Sequence, residues 1–150
     1  MPTSNVVIRP IGIDERADWE PLWKGYQAFY KVVISDATTA VTWARLHDPK
    51  EPMGVLGAYV DERLCGIVHY LFHRSSWTIG DYCYLQDLFV AEGARNLGLG
   101  RALIEAVEER ARAAGASRVY WLTHETNASA RALYDQLAER PGFIQYRKLF

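Results

Sequence analysis

The stretch Tyr84-Leu85-Gln86-Asp87-Leu88-Phe89-Val90, continued after four residues by Arg95-Asn96-Leu97-Gly98-Leu99-Gly100-Arg101, decides the fold. An apolar strand runs into a basic turn punctuated by glycines, and the turn opens into a helix that reaches about residue 114. The first peptide N–H groups of a helix have no partner inside it, and a helix start carries roughly half a positive charge. Gly98 and Gly100 let the backbone pass close to a bulky anion, with Arg95 and Arg101 on either side. That arrangement predicts a phosphate site. No Gly-Lys-Ser/Thr follows, as a P-loop requires, and a dinucleotide fingerprint would need a third glycine.

Downstream, Leu99, Ala102, Leu103, Ala106, Val107 and Ala111 make the apolar face of that helix, and Gly115 closes it. Residues 117–123 read as the next strand, with Val119, Tyr120, Trp121 and Leu122 apolar in succession, the pattern of a strand covered on both faces. Strand, helix, strand implies a right-handed parallel crossover. Asn127 caps a last helix whose Ala130, Leu133, Tyr134 and Leu137 share a face, ending near residues 140–142. Residues 143–150 are expected to close the chain as a strand.

Upstream, the runs 54–60, 64–73 and 82–90 are joined by short polar turns, so an antiparallel meander is the simplest pairing. Residues 6–9 suit a first strand closed by Pro10, and Asp14 suits the cap of a helix over 15–30. Trp19, Leu22, Trp23, Tyr26, Phe29 and Tyr30 recur there at three- and four-residue spacing, with Pro21 early, where a helix tolerates it. A second helix is expected over 39–47. The chain thus reads as one α/β domain, 1–150, with a mixed sheet that is antiparallel first and parallel in the middle, flanked by about four helices.

The charge balance, 17 basic against 18 acidic residues, argues for neither nucleic acid nor a membrane surface as partner, so any anion site is local. Cys65 and Cys83 sit in apolar runs and read as buried core thiols. With no leader-like N-terminus and no apolar run of membrane length, a cytoplasmic protein is expected. His69 and His73 would be metal-spaced on a helix, but in a strand they stand roughly 13 Å apart, so no metal is expected. Tyr26, Tyr30 and Trp43 are candidates for the wall of a pocket, against the alternative that an aromatic stripe is core.

The Arg-x-x-Gly-x-Gly turn, the preceding Tyr84-Leu85-Gln86-Asp87-Leu88-Phe89-Val90 and the later Ala130-x-x-Leu133-Tyr134 together resemble the GCN5-related N-acetyltransferases (GNAT), in the branch of diamine, polyamine and yeast-type histone acetyltransferases. The resemblance implies the acyl-CoA N-acyltransferase fold, acetyl-coenzyme A as cofactor, and a homodimer with the final strand as a seam. It implies a bulge in the central strand, with Leu88, Phe89 and Val90 pairing with the pantetheine arm as if with another strand. Arg95, Asn96, Leu97, Gly98, Leu99, Gly100 and Arg101 would hold the pyrophosphate, Asn127 would touch the cofactor near its reactive end, and Tyr134 would sit beside the thioester sulfur as general acid.

Acetyl transfer needs a neutral amine, and deprotonating a lysine-like ammonium at pH 7.4 costs about 4 kcal/mol. Diamine acetyltransferases carry a glutamate where this chain has Gln86, and an amide cannot accept that proton. Gln86 is therefore expected to orient a water or the amine, with Asp87 or a water chain as the proton sink. Strand alternation points Asp87 to the opposite face unless a bulge alters the phase. The acceptor would be a polyamine, diamine, amino acid or lysine side chain. Asp36, Asp48, Glu51 and Asp81 are carboxylates that could hold a second amine, against the reading of each as solvated surface. Loss of the usual carboxylate at Gln86 keeps one alternative, a catalytically silent acetyl-coenzyme A sensor.

Overall fold

The computed structural model describes residues 4–150. Five strands, β1 (Val6–Pro10), β2 (Met53–Val60), β3 (Arg63–His73), β4 (Tyr82–Val90) and β5 (Arg118–Tyr120), stand in chain order in one sheet. The first four are antiparallel neighbours, and β5 runs parallel to β4. Four helices accompany them: α1 (Arg16–Phe29), α2 (Asp36–Leu46), α3 (Leu99–Ala113) and α4 (Ala128–Leu137). The β2–β3 hairpin turns at Asp61 and Glu62, both with positive φ (48° and 70°), the turn whose twist matches that of the strands it joins.

Strand alternation sorts the core into two layers. On one side of the sheet, Ile11, Val55 and Ile67 bury against Trp19 and Trp23 of α1 and Trp43 and Leu46 of α2. On the other, Leu56, Ala58, Val68, Tyr70, Cys83 and Leu85 meet Leu99, Leu103, Ile104, Val107 and Ala111 of α3. The apolar stripe read along 99–114 is the face that packs.

The ladder between β3 and β4 slips once. His69 faces Asp87 and Tyr70 faces Leu85, so Gln86 is an extra residue in β4, a bulge. The slip reverses the alternation: Cys83, Leu85, Leu88 and Val90 all pack on the α3 side, whereas Phe89 packs on the α1 side and Asp87 bonds His69. Beyond Tyr84, β4 and β5 are no longer paired, and the two chains part.

Several boundaries differ from expectation. α2 starts at Asp36 rather than 39, because the Ser35 hydroxyl accepts the Thr38 N–H and caps it there. Asp14 caps nothing; it lies inside a 3-10 turn (Ile13–Glu15) that runs into α1 without a side-chain cap. β5 stops at Tyr120, since the partner strand has bulged away from residues 121–123.

The strand expected at 143–150 is not formed. Phe143, Ile144, Tyr146, Leu149 and Phe150 are exposed, and residues beyond α4 join no ladder. The three-residue β5 offers too short an edge to seat an eight-residue strand of the same chain. The parallel pair therefore lies at the edge of the sheet rather than in its middle.

Candidate active site

The parting of β4 and β5 opens a cleft. Its floor is Leu85, Gln86 and Leu88 of β4; one wall is Tyr26 of α1 and Tyr30 just after it; the other is Trp121, Thr123 and His124 after β5, with Tyr134 of α4. The start of α3, where a Cβ on Gly100 would lie 3.6 Å from Leu133 of α4, has the character expected for an anion. α3 begins at Leu99 behind Gly98, whose φ of +74° is left-handed, and no side chain caps it. Asn96 is also left-handed (φ +71°), so the turn folds its backbone twice within three residues. A Cβ on Gly98 would meet nothing within 4 Å, so this position needs glycine for its conformation rather than for space.

Arg95, Asn96, Leu97 and Gly98 are exposed, whereas the Leu99 side chain is a core residue that leaves its backbone N–H at the helix start. Arg95 lies over the Phe89 ring and donates to the Val90 carbonyl at 3.4 Å. Arg101 is tied to α4 through Gln136 Oε1 (2.7 Å) and reaches Glu105 at 3.9 Å. Of the two arginines, Arg95 is the less encumbered.

At the cleft's centre, Tyr134 stands edge-on to Trp121 with ring centroids 5.5 Å apart. Burial, with a smaller contribution from Tyr30, pushes its pKa up to about 12, so at neutral pH it is a proton donor. Asn127 caps α4 as expected: its Oδ1 accepts the Ala130 N–H, and its Nδ2 donates to Thr123 Oγ1, each at 3.4 Å. It ties α4 to the segment that walls the cleft.

Tyr26 and Tyr30 stand 4.8 Å apart, and Tyr30 lies 5.5 Å from His124. Burial raises the pKa of Tyr26, and the charge and hydrogen bonding of Asp87 raise it further. Trp43 is not a wall: it is 6% exposed and packs 4.7 Å from Trp19, because α2 turns it into the core. Gln86 is exposed at the floor, as a bulged residue is. Asp87 is 8% exposed and does not line the cleft; the change of phase sets it behind Tyr26.

Leu88 lines the floor, whereas Phe89 and Val90 turn into opposite layers of the core and present backbone only. Phe89 lies directly under Gly25, where a Cβ would come within 2.8 Å of its ring; that glycine lets α1 sit close to β4. Asp36, Asp48, Glu51 and Asp81 do not line the cleft. Asp36 pairs with Lys24 at 3.5 Å and Asp81 with Arg74 at 3.4 Å.

Sequence reasoning missed Tyr84, Thr123, His124 and His69. The first three are brought to the cleft by the divergence of β4 and β5, which no local pattern encodes. His69 was legible as an inward position next to Ile67, but its partner depends on the register across β3 and β4. Among the described residues, no group of three or more His, Cys, Asp or Glu is placed to hold a metal.

Comparison with known proteins agrees with this geometry. The model of the acetyltransferase (GNAT) family matches residues 19–138. A D-amino-acid N-acetyltransferase of Saccharomyces cerevisiae is 35% identical over 150 residues, covering 99% of this chain and 93% of its own. A thialysine N-epsilon-acetyltransferase of Caenorhabditis elegans is 30% identical over 124 residues, 79% of this chain and 76% of its own. Among solved structures, a ribosomal-protein-alanine N-acetyltransferase from Brucella melitensis biovar Abortus superposes with TM-score 0.78 at 23% identity, over 97% of this chain and 100% of that one. An aminoglycoside N-acetyltransferase in complex with coenzyme A does so with TM-score 0.82 at 18% identity, over 98% and 97%.

Proposed function

This chain belongs to the acetyltransferase (GNAT) family and is an N-acetyltransferase, and on that premise we propose that it transfers acetyl from acetyl-coenzyme A directly to the primary amine of an amino acid or small diamine. One observation carries the reading: the cleft opened between β4 and β5 has a tyrosine cluster along its wall and shares α4 with an uncapped helix start, Tyr134 lining the cleft while Leu133 faces Gly100 of α3. The relatives named for D-amino acids and thialysine support an amino-acid acceptor. The cleft lining supports a compact one, since no carboxylate in it waits for a distant second amine.

In this reading the free N–H groups at the start of α3, with Arg95, Asn96, Leu97, Gly98, Leu99, Gly100 and Arg101, receive the diphosphate. The parted edge at Leu88, Phe89 and Val90 offers strand-like hydrogen bonds to the pantetheine arm, and Asn127 holds the reactive end. Gln86 orients the amine, Asp87 takes up its proton, and Tyr134 protonates the leaving thiolate. Tyr26 and Tyr30 flank the acceptor. The exposed apolar segment 143–150 supports a homodimer with that segment as its seam, which light scattering at micromolar concentration tests against a monomer.

Calorimetry tests the cofactor assignment. Gly98→Asp places a side chain in left-handed backbone, costing about 1–2 kcal/mol, and a carboxylate where the diphosphate would sit. It is expected to weaken acetyl-coenzyme A binding by about 100-fold. Arg95→Ala, the loss of one exposed charge, should cost about fivefold. Unchanged affinity in both variants overturns the phosphate assignment. An acetylation assay over D- and L-amino acids, diamines and a lysine peptide tests the acceptor: tight cofactor binding without turnover on any amine would restore the silent sensor.

A further inference from the structure

Behind the cleft wall lies a buried polar chain inside an otherwise aromatic core. The Trp19 indole N–H donates to His69 Nε2 at 3.0 Å, and His69 Nδ1 lies 3.0 Å from Asp87 Oδ2. An indole nitrogen only donates, so Nε2 of His69 must accept, and the ring proton must sit on Nδ1, directed at Asp87. A second proton on His69 would set two N–H groups against each other. The indole thus holds His69 neutral although it touches a carboxylate. Asp87, 8% exposed, then has a neutral donor in His69, its charge bears on the Tyr26 hydroxyl at the cleft wall, and among the described residues no Lys or Arg pairs with it. Tyr26 lines the cleft, and Asp87 does not.

We propose that Tyr26, Asp87 and His69 form the proton-accepting relay for the incoming amine, with Trp19 locking His69 in its neutral tautomer. The proposal rests on the acetyltransferase reading above and supplies the base that Gln86 cannot be. The ammonium N–H bond breaks as its proton passes to Tyr26 Oη, while the Tyr26 hydroxyl proton passes to Asp87. The freed nitrogen lone pair bonds the acetyl carbon, the carbon–sulfur bond breaks, and Tyr134 gives its proton to the sulfur. The second amine proton restores Tyr134 through solvent, and the proton on Asp87 returns through Tyr26 to solvent, so one proton is released per turnover. Tyr26 is the catalytic residue, since it touches substrate; His69 and Trp19 are positioning residues.

The groups around His69 fit the role. α1 presents Trp19 and Trp23, the latter stacked on Tyr26, β4 presents Asp87, and the β2 neighbour is Val55. Tyr30 and Tyr84 are further titratable groups near Asp87, and burial raises the pKa of each. Both hydroxyls therefore stay protonated beside it at neutral pH.

Two measurements on the intact protein test this. First, nitrogen NMR of the His69 ring at neutral pH should show the Nδ1–H tautomer with Nε2 accepting; in Trp19→Phe, which removes the donor to Nε2, the ring should no longer be held to that single tautomer. A protonated Nε2 in the unaltered protein overturns the lock whatever the turnover. Second, Tyr26→Phe should lower kcat/KM for the amine by about 100-fold while acetyl-coenzyme A affinity holds. A change under threefold, in a protein whose unaltered form is active, sinks the relay and leaves the acetyltransferase reading standing. No activity in the unaltered protein removes both. If Trp19→Phe does not fold, His69→Asn and His69→Leu replace it: Asn keeps a donor at the Nδ1 position and should retain kcat within tenfold, whereas Leu should lose about 100-fold. Equal rates for the two overturn the positioning role.

Discussion

The two faces of the sheet are built on different principles. The α3 face is aliphatic, with Leu103 and Val107 fully buried among Leu56, Val68 and Leu85. The α1 face is a stack of indoles around Trp19, threaded by His69 and Asp87. On the first, hydrophobic burial holds α3 against the sheet, and much of the chemistry offered to a ligand is backbone: a helix start, a left-handed glycine, a parted strand edge. On the second, the chemistry is side chains, and they carry a cost. Trp23 Nε1, Gln27 Nε2 and Thr39 Oγ1 are buried there without a hydrogen-bond partner among the described residues, each worth about 1–3 kcal/mol against stability. An invariant ligand such as a diphosphate can be held largely by backbone N–H groups, which truncation of a side chain leaves in place. An acceptor that differs among relatives must be read by side chains.

The comparison can be broken most forcefully at Tyr134, where the two faces meet. Tyr134→Phe is expected to lower kcat by about 10²–10⁴ while acetyl-coenzyme A binds as before. A parallel fall in cofactor affinity, measured by calorimetry, would mean that Tyr134 holds the cofactor as well as protonating its sulfur. Next in size is the scaffold itself. Leu103→Ala, at a fully buried position on the aliphatic face, should reduce unfolding free energy by about 2–5 kcal/mol in urea titration, with kcat retained below the transition. If kcat falls while stability holds, α3 takes part in the chemistry and the division of labour is wrong.

The smallest effect is at alkaline pH. The Tyr134 pKa is raised to about 12 in the folded state against an ordinary value of 10.0. The unfolded chain therefore loses this proton first, and the stabilisation is complete below pH 10 and lost as pH rises towards 12. Urea midpoints at pH 9, 10 and 11 should fall in the native protein and fall less in Tyr134→Phe. Parallel slopes would place the proton loss at another tyrosine.

Much of this was legible in residue order. The helix after Gly98 showed its apolar face in the spacing of Leu99, Leu103 and Val107, and Asn127 announced itself as a cap, because both signals are local. The meander followed from short turns between β-rich runs. Segment 143–150 failed for the opposite reason: its apolar residues have the composition of a strand, but a strand exists only where an edge receives it, and β5 is too short. Trp43 failed because helical spacing shows that a face is apolar without saying what it packs against.

The sequence by itself determined the class of sheet, the helix start that suits an anion and the aromatic character of α1, because each depends on neighbours a few residues away. Only the tertiary structure decided where Asp87 points. One extra residue at Gln86 shifts the alternation of β4, and that shift is a property of its pairing with β3, between residues 18 apart in the chain at His69 and Asp87. Tyr26, His69 and Asp87 come from three different elements, and their meeting depends on α1 lying close over Phe89 at Gly25. Such meetings are set by packing and register, which a reading along one chain does not contain.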